Sequence, residues 1–127
     1  TTEVKRFFQT DMEMFRVRAK SIASAELHNN GVATSLCEGY NRDAQIINSQ
    51  VADELLNIKG VKASFVAGKN DSGKTVVSAR SLGELNVQVI MEKLGGGGHL
   101  TTAGAQVEES PEDVLEVIKN IIGSEER

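Results

Sequence analysis

Apolar residues recur at helical spacing in four stretches of the chain and crowd into strand-like runs in four others. Thr10 and Glu13 have the Thr-x-x-Glu spacing of a capping box. Phe15, Ala19, Ile22, Ala23 and Leu27 follow near helical spacing, so a first helix is expected, stopped at His28-Asn29-Asn30-Gly31. Phe7 and Phe8 precede the box and either extend that helix or pack a linker onto the domain or a neighbour. Val32 to Cys37 is β-branched and apolar enough for a buried strand, broken by Gly39. Asp43 then caps a second helix carrying Ile46, Ile47, Val51, Leu55 and Ile58, and Gly60 stops it. Lys62 to Ala67 and Thr75 to Arg80 read as a hairpin turning at Asn70-Asp71-Ser72-Gly73, all residues suited to turns. Asn86 caps a third helix running to Leu94, with Val87, Ile90, Met91 and Leu94 on one face. Ala103 to Val107 forms the last strand. Ser110-Pro111 opens a final helix with Pro at its first position and Val114, Leu115, Ile118, Ile121 and Ile122 inward. A charged tail, Ser124 to Arg127, is expected to fray.

The order α-β-α-β-β-α-β-α predicts an α+β fold, a small mixed sheet with helices packed on it. At 127 residues, with no internal repeat, the chain is one domain. It starts at Thr1 and runs at once into a helical pattern, which suggests a piece of something larger. Aromatics are only 4% of the chain, so Val, Ile, Leu and Met must fill the core. A net charge of −4 speaks against binding duplex nucleic acid, which calls for a basic excess. Cys37 is the single cysteine, so there is no disulfide framework, and a packed thiol fits a reducing cytosol. No apolar run reaches membrane-spanning length, and no signal peptide is recognised.

The most informative stretch is 78–104. A strand ends near Arg80, a short helix follows, and then Gly95, Gly96, Gly97 and Gly98 lead to His99. One glycine closes a helix; four cost more backbone entropy than a cap requires. Such a run is expected where backbone approaches a ligand, and its amides can ring an anion. His99 adds a donor, and Arg80 a planar fork suited to phosphate. The site reading is a phosphate pocket, most naturally for a nucleotide; the bland reading is a flexible linker.

A second motif points elsewhere. Gly68-Lys69-Asn70-Asp71-Ser72-Gly73-Lys74-Thr75 matches G-x-x-x-x-G-K-[ST], but a P-loop needs a helix after it. Val76-Val77-Ser78-Ala79 is a short β-branched run instead, so a polar hairpin turn is expected, its lysines facing solvent or leaning towards the site. No catalytic constellation stands out. The five Asp residues are scattered with no His beside them, so no metal set is marked. His28 reads as a solvated cap and Cys37 as a core thiol, with Glu38, Glu84 and Glu92 on the surface.

Ser78-Ala79-Arg80-Ser81, then Asn86-Val87, then Leu94 to His99 with Ala103-Gly104, resembles the DHH-associated substrate-binding domain, the C-terminal lobe of DHH phosphoesterases. Ser81-Leu82-Gly83-Glu84-Leu85-Asn86-Val87 with Ile90-Met91-Glu92-Lys93-Leu94 is similar to the GdpP-type cyclic-di-AMP phosphodiesterases in particular. The resemblance implies one nucleotide-binding domain over 1–127, with about 1–27 as linker and first helix and 78–104 as the ligand-binding segment. The implied parent is a hydrolase that cleaves cyclic di-AMP with two manganese ions held in a DHH lobe absent from this chain. This lobe, inactive alone, would grip cyclic di-AMP or a short linear dinucleotide. Gly95 to Gly98 would let the backbone approach phosphate or base. Arg80 and His99 would contact phosphate, and Ser81, Thr101 and Thr102 would add hydroxyls. Thr102 departs from the family's commoner alanine, which bears on base specificity. The resemblance also implies a cytoplasmic domain of a membrane-anchored parent, partnered by its DHH lobe, with room for a homodimer. Two other classes compete: a single-stranded RNA or short-oligonucleotide module, and, more remotely, a P-loop NTPase. The acidic balance and few aromatics weigh against the former.

Overall fold

The structure, a computed structural model, describes residues 11–125. Four helices pack on a mixed sheet of six strands, in the order α1 (Met12–Ala23), β1 (Glu26–Leu27), β2 (Val32–Tyr40), α2 (Ala44–Leu55), β3 (Ala63–Lys69), β4 (Thr75–Ser81), α3 (Val87–Lys93), β5 (Gly97–Gly98), β6 (Thr102–Val107) and α4 (Pro111–Glu125). This is the expected α+β order with two two-residue strands added. Across the sheet the strands run β1-β2-β3-β4-β6-β5. Only β2 and β3 are parallel, as their crossover through α2 requires; the other neighbours are antiparallel.

Alternate residues of the strands feed two cores. Phe65, Ala67, Val77 and Ala79 point to one face and pack with Val87, Ile90 and Met91 of α3 and Val114, Ile118 and Ile122 of α4. Ala33, Cys37 and Val66 point to the other and pack with Ile47, Val51 and Leu55 of α2, with Val17 and Ile22 of α1 against them. The sheet is therefore the middle layer, and α1 and α2 cover only its β2-β3-β4 half on their side.

Several local expectations change. Asp11 caps α1, its carboxylate accepting from the Met14 N–H at 2.8 Å. Thr10, Phe7 and Phe8 lie outside the described residues. The helix stops at Ala23, so Leu27 lies on β1, and Phe15, Ala19 and Ala23 are exposed. The inward row is Met14, Val17, Ser21 and Ile22. Apolar spacing caught Ile22 and missed the rest, because Ser21 is buried and satisfied, its hydroxyl donating to Val17 O at 2.8 Å with Cys37 Sγ 3.1 Å away. Gly39 does not end β2; it sits at φ +80° where the pairing shifts between Cys37 and Tyr40, and the strand continues past it. Asp43 stands at the N-terminus of α2 but makes no side-chain cap bond, and Ile46 faces solvent. His28 is held rather than solvated, its Nε2 2.9 Å from Thr34 Oγ1 in the β1–β2 turn. The last helix runs on through Ser124 to Glu125.

Candidate functional site

The cleft lies where the helical cover stops. Val76, Ser78 and Arg80 of β4 face α2; across the ladder their partners are Gln106, Gly104 and Thr102 of β6, and Gly97 of β5 pairs with Gly104. Paired residues share a face, so Ser78, Gly104 and Gly97 form a row across three strands with almost no side chain. That row floors an open cleft of about 540 Å³, walled by Gln45 and Ser49 of α2 on one side and by Gly96 to His99 on the other.

Arg80 forms one end. Its side chain is only 14% exposed. Nε donates to Asp53 Oδ1 at 2.8 Å, and Nη1 donates to its own strand's Ala79 carbonyl at 2.9 Å. The second terminal nitrogen makes neither bond, so the outer end of the fork keeps donors to offer while the Nε edge is taken.

The four glycines divide by role. Gly95, at φ +86°, closes α3. Its N–H and that of Gly96 donate to the helix carbonyls of Glu92 and Met91, and the His99 N–H donates to the Thr102 carbonyl. Those three amides are spent inside the fold, so an anion ring built from the whole run is ruled out. A Cβ on Gly96 would lie 2.1 Å from the Gly104 oxygen, and one on Gly98 would lie 2.5 Å from the Thr102 oxygen. Both glycines are demanded by the approach of β6. Gly97 alone of this run lies on the cleft floor with negative φ and nothing within 4 Å of its would-be Cβ. Nothing in the protein requires a glycine there.

Of the residues singled out from the sequence, the cleft gathers Arg80, Gly96, Gly97, Gly98, His99 and Thr102. Three others are placed differently. The Ser81 hydroxyl is buried, donating to Leu85 O at 2.7 Å and accepting from Gly83 N at 3.0 Å, so it ties the β4–α3 turn. Gly95 serves the helix cap. Thr101 lies outside the lining, its carbonyl accepting from Ser81 N. The α2 wall was not singled out at all. Gln45, Ser49 and Asp53 stand four apart, and Ser49 Oγ is 3.2 Å from Ser78 Oγ. Half of this helix is polar, with Asn48, Gln50 and Glu54 beside them, so the row carried no signal of its own in the sequence.

The P-loop-like stretch is a hairpin turn. Asn70 Oδ1 accepts from the Ser72 and Lys74 N–H groups, Thr75 opens β4 with its hydroxyl donating to Glu109 O, and Lys74 pairs with Glu108 at 3.2 Å. No helix follows, and neither Lys69 nor Lys74 lines the cleft. Among the described residues no three His, Cys, Asp or Glu side chains converge to hold a metal. No described helix is long and apolar enough to cross a membrane. Cys37 is buried against Ser21, and burial pushes its thiol above the ordinary value.

Residues 17–124 match the DHHA1 domain. The chain is 44% identical over 107 residues to the cyclic-di-AMP phosphodiesterase GdpP of Geobacillus thermodenitrificans, covering 84% of this chain and 16% of that protein. It is 40% identical over 109 residues to the cyclic-di-AMP phosphodiesterase PdeA of Listeria monocytogenes, covering 86% and 17%. The chain thus spans less than a fifth of these relatives. A crystal structure of an exopolyphosphatase-related protein from Bacteroides fragilis superposes with a TM-score of 0.78 at 16% identity, over 97% of this chain and 38% of that one, a likeness of fold.

Proposed function

Because this chain belongs to the DHHA1 domain family, we propose that it is the substrate-gripping lobe of a phosphodiesterase acting on cyclic di-AMP. The single observation that carries the reading is the meeting of a restrained Arg80, His99 and a bare glycine floor in one open cleft. A phosphate docks on the free end of the Arg80 fork, with His99 and the Thr102 hydroxyl beside it. The floor at Gly97 and Gly104 takes the flat face of a base or sugar, which side chains there would exclude. Support for the ligand class comes from the names of the relatives at 40–44% identity.

This lobe supplies grip and orientation, not chemistry. It offers no converging metal donors among the described residues. In this reading manganese belongs to a DHH lobe of the parent protein, which closes on the cleft from the open side and cuts the bound phosphodiester. Membrane anchoring and self-association would be features of that parent.

The test is calorimetric titration of the chain with linear diadenylate carrying a 5′-phosphate, the hydrolysis product expected from cyclic di-AMP. A charge-assisted hydrogen bond is worth about 1.5–3 kcal/mol, so Arg80→Ala should weaken binding roughly tenfold to a hundredfold. His99→Ala should weaken it by a smaller factor. Affinity unchanged in both variants contradicts the assignment.

A further inference from the structure

We propose that Asp53 is the positioning residue of the cleft: it holds the Arg80 guanidinium in the orientation that receives phosphate. The proposal rests on the phosphate reading of the cleft and adds a residue outside its lining. Asp53 Oδ1 accepts from Arg80 Nε at 2.8 Å, and the Ala79 carbonyl takes a second bond from the same group. Two bonds to separate nitrogens fix the plane of the guanidinium and leave its outer end for a ligand.

The alignment follows from helix and strand geometry. Four residues of α2 rise about 6 Å, and two residues of β4 rise about 6.7 Å. The row Ser49, Asp53 therefore runs in step with the row Ser78, Arg80, and each pair meets: Ser49 with Ser78 at 3.2 Å, Asp53 with Arg80 at 2.8 Å.

The place of Asp53 in its helix argues against a purely local role. It lies beside Glu54 in the last turn of α2, where the helix dipole disfavours carboxylates, and that turn holds no basic residue while the first turn holds no acidic one. The helix would be better served by a neutral or basic side chain. Of the two carboxylates in that turn, Asp53 is the one bonded to Arg80. In a flexible arginine the ordering entropy falls on ligand binding; here it is met on folding.

The experiment uses Asp53→Ala, Asp53→Asn, Arg80→Ala and Glu54→Ala in the 127-residue chain. One readout needs no ligand: hydrogen exchange of the Arg80 side-chain Nε–H by NMR, against that of the exposed Arg16. The Arg80 signal should exchange slowly in the wild type and in Asp53→Asn, which keeps an acceptor, and quickly in Asp53→Ala. The second readout is titration with 5′-phosphorylated diadenylate. Asp53→Ala should lose about tenfold in affinity, Asp53→Asn should recover the larger part, and Glu54→Ala, removing an equal charge next door, should change nothing. Melting temperature should not fall in Asp53→Asn. Binding lost in Arg80→Ala but kept or improved in Asp53→Ala overturns the positioning role and leaves the cleft assignment standing. Binding kept in Arg80→Ala overturns both. An Arg80 Nε–H that exchanges as fast as that of Arg16 in the wild type overturns the positioning role without any ligand.

Discussion

Replacing Gly97 with alanine separates a glycine kept for a ligand from one kept for the fold. At Gly96 the new methyl carbon would sit 2.1 Å from the Gly104 oxygen and 2.7 Å from Ala105 Cα, both backbone. Overpacking of that kind costs about 1–3 kcal/mol. At roughly 4 °C per kcal/mol for a domain of this size, Gly96→Ala should melt about 4–12 °C below the wild type. Gly97 has open space and a negative φ, so Gly97→Ala meets no clash. Removing glycine from the unfolded ensemble is worth about 0.4–1 kcal/mol, so this variant should melt about 2–4 °C higher. Its methyl nonetheless projects into the cleft, where a phosphate or a ring would lie. Binding of 5′-phosphorylated diadenylate should fall about tenfold or more, a loss of at least about 1.4 kcal/mol. Differential scanning calorimetry gives the first pair of numbers and titration calorimetry the second. Gly97→Ala melting as low as Gly96→Ala, or binding as tightly as the wild type, would refute the reasoning.

The Cys37 thiol, raised by burial, should label with a disulfide reagent at neutral pH only as fast as the chain unfolds. Above about pH 9 the unfolded chain gives up its thiol proton while the folded chain keeps it, so this contribution to stability is complete below that pH and lost as pH rises past it. Denaturant midpoints measured from neutral to alkaline pH should fall more steeply for the wild type than for Cys37→Ala. Lys74→Ala removes an exposed pair with Glu108 and should change stability by less than about 1 kcal/mol and dinucleotide affinity not at all. Filter binding of ATP with magnesium should detect nothing to lose in that variant.

The long elements were legible because their periodicity is dictated by two buried faces. Val87, Ile90 and Met91 have to face Phe65 and Val77, and the apolar spacing says so directly. The hairpin was legible from its turn chemistry, and the β-branched run after it, where a P-loop needs a helix, marked the P-loop match as coincidental. Of the inward face of α1 only Ile22 was legible, because buried Ser21 carries no hydrophobic signal and exposed Phe15 carries a misleading one. The two-residue strands β1 and β5 are too short for any period. The glycine run advertised a site, yet only backbone coordinates tell Gly97 from its neighbours. Asp53 escaped notice because its role depends on α2 and β4 lying in step, a tertiary fact.

The most direct test of the cleft is a heteronuclear NMR titration of the labelled chain with cyclic di-AMP and with linear diadenylate, free of metal. Shifts should centre on Arg80, Gly96 to His99 and Thr102, with Ser49 of α2 responding across the cleft. If those resonances stay still at millimolar ligand, or if the shifts centre on Gly68 to Thr75 instead, the cleft is not where this domain meets its substrate.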